Sequence, residues 1–281
     1  MTSRCAVLLL FALLGLASLP AAAVNTTTRG AKVLVVGNSL SYVNHLPALF
    51  NSIAAGQDEA SPFRADMIGA PGGSLADRWS EGVVAREIES GRWQVLVLQE
   101  RGGVLACLAT PQSREQAECS ASLGAHRHFI ELASKHGLRV IVLGTWGPDA
   151  IWQGKLSRGL HRIVAGTAAE ALDAGPLLRD FGKTHASMPM TIDAIGHPSL
   201  DASLLVAGAL YRQLSGHAPA AVAFETSAPM LPPMARMEAD RLLSQQPQLA
   251  GDGRITKVEA ARLLPLFAAV AAMPAPTTAG K

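Results

Sequence analysis

Short, unbroken apolar runs recur along the chain, separated by longer stretches in which apolar residues return every three or four positions. Val33-Leu34-Val35-Val36, Val95-Leu96-Val97-Leu98 and Val140-Ile141-Val142-Leu143 show no polar alternation, the pattern of strands covered on both faces. A weaker run covers Phe63 to Ile68. Between them, three sets fall at helical spacing: Leu46, Leu49, Phe50 and Ile53; Leu75, Trp79, Val83 and Ile88; Phe129, Ile130 and Ala133. Strands alternating with helices predict a parallel sheet between helical layers, a three-layer α/β/α domain.

The pattern predicts helix over Trp152 to Ala174 and a further apolar helix over Leu200 to Leu214 that closes a main domain spanning 30–215. Beyond Ser215 the character shifts. Pro229, Pro232 and Pro233 form a connector, and Met234 to Gln245 is expected to be helical. Thr256-Lys257-Val258-Glu259 matches a capping box opening another helix, which Pro265 must kink or interrupt. Val258, Ala261, Leu264 and Phe267 give that helix an apolar stripe, so 216–273 is expected to pack on the main body as a helical extension. Residues 274–281, rich in Pro, Thr, Ala and Gly, are expected to be disordered.

The first residues bear on the compartment. Arg4 precedes the apolar run Val7 to Leu16, and Ala21 and Ala23 supply the small-residue pattern of a cleavage site. Residues 1–23 are therefore expected to be a signal peptide cut after Ala23, giving a secreted or periplasmic protein with no stable membrane insertion. The competing reading, an uncleaved anchor, needs a span of about 20 residues, and this run is shorter. Cys107 and Cys119 then remain, flanking a polar stretch that looks like a loop. An oxidising compartment favours one disulfide between them; two free thiols are the alternative. A net charge of +2, no Lys/Arg block and 5% aromatic residues argue against a nucleic-acid partner.

Two segments carry candidate chemistry. Gly37-Asn38-Ser39-Leu40-Ser41 follows the first buried strand, at the strand end where α/β sheets bind ligands. Ser39 suits either a helix N-cap or a nucleophile whose helix start offers free N–H groups to an oxyanion. Far along the chain, Asp193-Ala194-Ile195-Gly196-His197-Pro198-Ser199 precedes the closing helix. A serine nucleophile needs a base, and the base needs a carboxylate to fix its tautomer. His197 and Asp193 are the residue types required, unless they are incidental to a surface loop.

In these segments the chain resembles the SGNH (GDSL-like) hydrolases, and most nearly a branch with Gly-Asn-Ser in the nucleophile block. Gly37-Asn38-Ser39-Leu40 matches the first block. Pro71-Gly72-Gly73-Ser74-Leu75 matches the glycine block, with Gly72 or its neighbour Gly73 as the oxyanion glycine. Leu98-Gln99-Glu100 stands where the asparagine block belongs, Thr145-Trp146 matches a pair after the fourth strand, and Asp193 with His197 matches the last block. The likeness covers roughly residues 32 to 213. It implies a flavodoxin-like three-layer fold and an exported serine esterase, with Ser39, Asp193 and His197 catalytic and an oxyanion hole from Ser39, Gly72 and Gln99. It implies no metal or organic cofactor. The expected substrate is an acylated small molecule or polysaccharide, with acetyl as the acyl group.

Two features depart from the family pattern. Gln99 replaces the usual Asn with a longer arm, and Asp193 lies four residues before His197 rather than three. The second departure supports an alternative, a catalytically impaired protein of this fold that binds carbohydrate or envelope components. A nucleotide-binding domain lacks its glycine-rich loop after the first strand. Trp79 and Trp146 are candidates for cleft walls, Glu100 for a pocket or structural carboxylate, and Asn38 for holding the nucleophile turn. His126 and His128, two apart, make a poor metal pair and are expected at the surface.

Overall fold

The computed structural model describes residues 30–57 and 62–275. The expected signal peptide, and residues 276–281 of the expected tail, lie outside the described residues. Five strands, β1 (Lys32–Gly37), β2 (Arg64–Gly69), β3 (Val95–Gln99), β4 (Arg139–Leu143) and β5 (Glu170–Leu172), form one parallel sheet. Their order is β2-β1-β3-β4-β5. Because successive side chains alternate between sheet faces, each apolar run feeds two cores. Val33, Val35, Val95, Val97 and Ile141 face one layer, while Leu34, Val36, Leu96, Leu98 and Val140 face the other. This double burial is why the strands carry no polar alternation, and each such side chain contributes about 1.5–3 kcal/mol.

The first layer holds α2 (Leu46–Ala55), α8 (Ala174–Thr184), α9 (Leu200–Ser215) and α10 (Ala260–Ala271), through residues such as Phe50, Phe181, Leu204 and Phe267. The second holds α3 (Leu75–Ser80), α4 (Val83–Glu89), α6 (Ala117–Lys135) and α7 (Ala150–Val164), through Leu75, Ile88, Phe129 and Leu160. The three-layer α/β/α arrangement expected from the sequence is the one found. The short helices α1 (Ser39–Tyr42) and α5 (Pro111–Arg114) belong to the loops above the sheet.

Several expected elements differ. The helix expected over Trp152 to Ala174 ends at Val164, and residues 170–172 become the fifth strand; Glu-Ala-Leu has no β-branched residue to mark it. The segment from Leu75 to Ile88 splits in two at Gly82, which has φ of 69°. Met234 to Gln245 is not a helix. Its chain is organised around the buried Gln246, whose side chain accepts from Glu238 N and donates to the carbonyls of Glu238 and Arg241. Thr256–Val258, expected to open a helix, is instead β7, paired antiparallel with β6 (Phe224–Thr226). The α-helix of the extension is α10, which runs on through Pro265; two single 3-10 turns, Leu243–Gln245 and Pro247–Leu249, precede it. The stretch between Cys107 and Cys119, expected as a loop, contains α5 and opens α6; the two cysteines form a disulfide with Cα atoms 5.9 Å apart.

Candidate active site

The carboxyl ends of β1 and β3 build one wall of the site. β1 ends at Gly37, where a Cβ would lie 2.6 Å from Gln99 Oε1, so only glycine lets the Gln99 side chain pass beneath the turn. Asn38 then caps α1: its Oδ1 accepts from Leu40 N at 3.1 Å, while its Nδ2 donates to the Gly73 carbonyl at 3.0 Å. Gln99 Oε1 accepts from Asn38 N at 3.2 Å and Ser41 Oγ at 2.7 Å. These bonds leave Ser39 at the first position of α1, at the edge of a cleft of about 490 Å³.

The opposite wall is the loop before α9. His197 Nε2 lies 3.0 Å from Ser39 Oγ, and His197 Nδ1 lies 2.6 Å from Asp193 Oδ2. Four-residue spacing does not keep the carboxylate away from the ring, because Asp193 folds its own loop. Its Oδ1 accepts the N–H groups of Ile195, Gly196 and His197 at 3.1, 2.9 and 3.1 Å. Within this loop Gly196 has φ of 96°, a conformation accessible chiefly to glycine. The hydrogen bond to His197, with those from the Gly196 and His197 N–H groups, holds the Asp193 carboxyl below the usual carboxylate range, although partial desolvation opposes this. Asp193 is therefore ionised at neutral pH.

Two groups hold this loop to the body. Trp146 Nε1 donates to the Gly196 carbonyl at 2.7 Å. Asn44, with a left-handed φ of 58°, sends its Nδ2 to the Pro198 carbonyl and to Ser203 Oγ, both at 3.0 Å. Asn44 was not singled out in the sequence, and its left-handed backbone leaves no periodic signal. The connector also docks here: Asn44 N donates to the Leu231 carbonyl at 3.2 Å, and the Tyr42 hydroxyl donates to the Pro233 carbonyl. Burial pushes the Tyr42 phenol up to about 12, so it remains a neutral donor.

Ser39, Gly72, Trp146 and His197 all line the cleft, and the Ser39 and Gly72 N–H groups have no hydrogen-bond partner among the described residues. Gln99 does not fit the oxyanion role expected of it. Its Nε2 donates to Asn38 Oδ1 at 3.2 Å and to the Glu100 carbonyl, so both amide hydrogens are committed beneath the Ser39 turn. Gln99 clamps the turn instead.

Three other candidates also sit elsewhere. Glu100 is fully buried and structural, accepting from Leu75 N, Arg101 N and Ser122 Oγ. Trp79 packs on His128 and Phe129 of α6 rather than lining the cleft. His126, expected at the surface, is buried in α6 with Nδ1 on the Ser122 carbonyl at 2.8 Å, and burial lowers its pKa. Among the described residues, no three His, Cys, Asp or Glu side chains are grouped to hold a metal, and no helix is long and apolar enough to cross a membrane.

A scan against protein-family models gives no match, and a search of curated proteins gives none either. Solved structures do match. LAE5, an alpha/beta hydrolase enzyme from the metagenome of Lake Arreo, Spain, aligns with a TM-score of 0.50 at 13% identity, over 67% of this chain and 96% of its own. Axe2, an acetylxylan esterase from Geobacillus stearothermophilus, aligns with a TM-score of 0.50 at 14% identity, over 67% and 95%. With these two hydrolases the chain shares its fold, the three-layer α/β/α arrangement that the SGNH resemblance implied.

Proposed function

We propose that the protein is a serine ester hydrolase that removes acyl groups, acetyl among them, from a carbohydrate or small hydroxylated molecule. The observation that carries this reading is the unbroken line of hydrogen bonds from Ser39 Oγ through His197 to Asp193, at 3.0 and 2.6 Å. Such a line lets the imidazole take the serine proton as Oγ attacks the ester carbonyl, and Asp193 stabilises the imidazolium so formed. The oxyanion would meet the N–H groups of Ser39 and Gly72. His197 then returns the proton to the departing alcohol, and water, activated by the same imidazole, releases the acid. That Axe2, of similar fold, is an acetylxylan esterase favours acetyl on carbohydrate.

The reading as an impaired binding protein drew on the four-residue spacing of Asp193 and His197, and the 2.6 Å contact between them speaks against it. We further propose that residues 30–215 form the catalytic domain, that 216–273 brace it, and that the protein works outside the cytoplasm. The Cys107–Cys119 disulfide supports the last point. The test is hydrolysis of 4-nitrophenyl acetate by the wild type and Ser39→Ala. The variant is expected to lose activity by a factor on the order of 10⁴–10⁶; equal rates would end the esterase reading.

A further inference from the structure

We propose that Arg78 is a positioning residue of the oxyanion hole, its buried guanidinium fixing the turn that presents the Gly72 N–H and lending positive charge to it. This role rests on the esterase reading. With both Gln99 amide hydrogens committed elsewhere, the hole is left with the N–H groups of Ser39 and Gly72. Gly72, with φ of 63°, stands beside a second glycine, Gly73. Two glycines offer the backbone its widest freedom and no side chain to restrain it, so neighbouring groups must impose the geometry of this turn. Asn38 Nδ2 holds it at the Gly73 carbonyl, and Gly73 N closes it on the Ala70 carbonyl at 3.2 Å. Gly73 N is thereby engaged, and Gly72 N is the group left to the cleft.

Arg78 supplies a further contact. Side chains of an α-helix lean toward its N-terminus, so Arg78, the fourth residue of α3, reaches back to the turn that precedes the helix. A Cβ on Gly73 would lie 3.3 Å from Arg78 Nη1 and 3.5 Å from its Cζ, so the guanidinium packs directly against that glycine. The start of α3 is itself fastened. Ser74 and Asp77 form a capping box, and Leu75 N donates to the buried Glu100 carboxylate at 3.2 Å.

The bonding of this guanidinium is uneven. Nη2 pairs with Glu81, whose side chain is 38% exposed, whereas the Arg78 side chain is 5% exposed. Nε and Nη1 are buried and have no acceptor among the described residues. Burying charged donors without partners is costly, and an apolar side chain of similar volume would fill the space without that cost. A contribution to folding does not account for this arrangement. A contribution to catalysis does. The counter-charge of Glu81 is on the more exposed side, Nη1 is against the turn, and preorganised positive charge there favours the negative charge that develops on the ester carbonyl oxygen at the Gly72 N–H.

The experiment measures kcat and KM for 4-nitrophenyl acetate, together with the thermal midpoint, in the wild type, Arg78→Met and Arg78→Lys. Methionine occupies much of the same space without charge and leaves the partly exposed Glu81 to water. Arg78→Met is expected to lower kcat about tenfold to hundredfold, somewhat less than the loss of a direct oxyanion donor. KM should change little, because the charge acts on the transition state rather than on the bound ester. The midpoint should hold or rise, as it does when a buried charge is replaced by an apolar side chain. Arg78→Lys, which keeps a charge beside the turn, should recover part of the lost kcat. A kcat in Arg78→Met equal to that of the wild type, a loss of kcat accompanied by a fallen midpoint, or equal kcat in the two variants would overturn the assignment. Failure of the esterase reading is separately visible, as equal hydrolysis of 4-nitrophenyl acetate by wild type and Ser39→Ala.

Discussion

The two walls of the site are held by different means. On one side, Ser39 follows a fully buried strand, and the amide of Gln99 fastens its turn from below within a closed set of side-chain and main-chain bonds. On the other, His197 hangs in a loop whose carboxylate, Asp193, is 34% exposed and organises three backbone N–H groups by itself. The first wall depends on what lies beneath it. The second depends on one charged residue and on Trp146 and Asn44, which tie it to the body. Buried polar networks of the first kind fail by destabilising the fold, because an unpaired buried group is costly. Loops of the second kind fail by losing geometry while the fold survives.

That contrast can be broken most sharply at Asp193. Asp193→Asn should lower kcat by about 10³–10⁴, as removal of a triad carboxylate does, with little change in thermal midpoint. A midpoint falling as far as it does for a core substitution would show the Asp193–His197 loop to be part of the buried framework. At Gln99 the balance should reverse. Gln99→Leu is expected to reduce unfolding free energy by about 2–4 kcal/mol, since several buried partners lose their bonds together, and activity should fall with it. Denaturant titration measures this; full stability with a selective loss of kcat would instead return Gln99 to the oxyanion.

The smallest effect is expected at Trp146→Phe, which keeps the ring and deletes one donor to Gly196. A fall in kcat of about fivefold to tenfold is expected, equivalent to roughly 1 kcal/mol. The same residue reports on pH. Because the folded Asp193 carboxyl lies below its ordinary value, its contribution is complete above the unfolded carboxylate pKa of about 3.9. It is lost as pH falls through the lower folded value. The part of the fluorescence that Trp146→Phe removes should hold steady through mildly acid pH and change only below that range. A transition near pH 6 would mean the loop is governed by another group.

The parts of the molecule legible in the sequence are those whose signal is local. β1, β3 and β4 announce themselves because both faces are covered, and α9 because nearly every residue from Leu200 to Ser215 is buried. Ser39, Asp193 and His197 stand in short segments far apart in the chain, and their side chains meet within hydrogen-bond reach. What escaped depends on contacts distant along the chain. β5 has three residues and exists because Arg139–Leu143 lies beside it, with Arg139 gripping Glu170. Residues 234–245 have helical periodicity, but the main-chain groups of Glu238 and Arg241 are bonded by the Gln246 side chain rather than within an α-helix. β7 forms because Phe224–Thr226 is near enough to pair. Gln99 has the right position for a catalytic amide and the wrong partners, a distinction that depends on Asn38 and Ser41, some sixty residues earlier.

The disulfide bears on how the chain reaches this state. Its cysteines are 12 residues apart, whereas β1 must wait for β3, whose Val95 pairs with Val33. Closing a short loop costs less chain entropy than closing a long one, so the thiols can find each other before the sheet has assembled. Cys5 is the third cysteine of the chain and falls within the segment expected to be removed. A mature chain cut after Ala23 would hold one possible pairing, and its oxidation would need no isomerase to correct it.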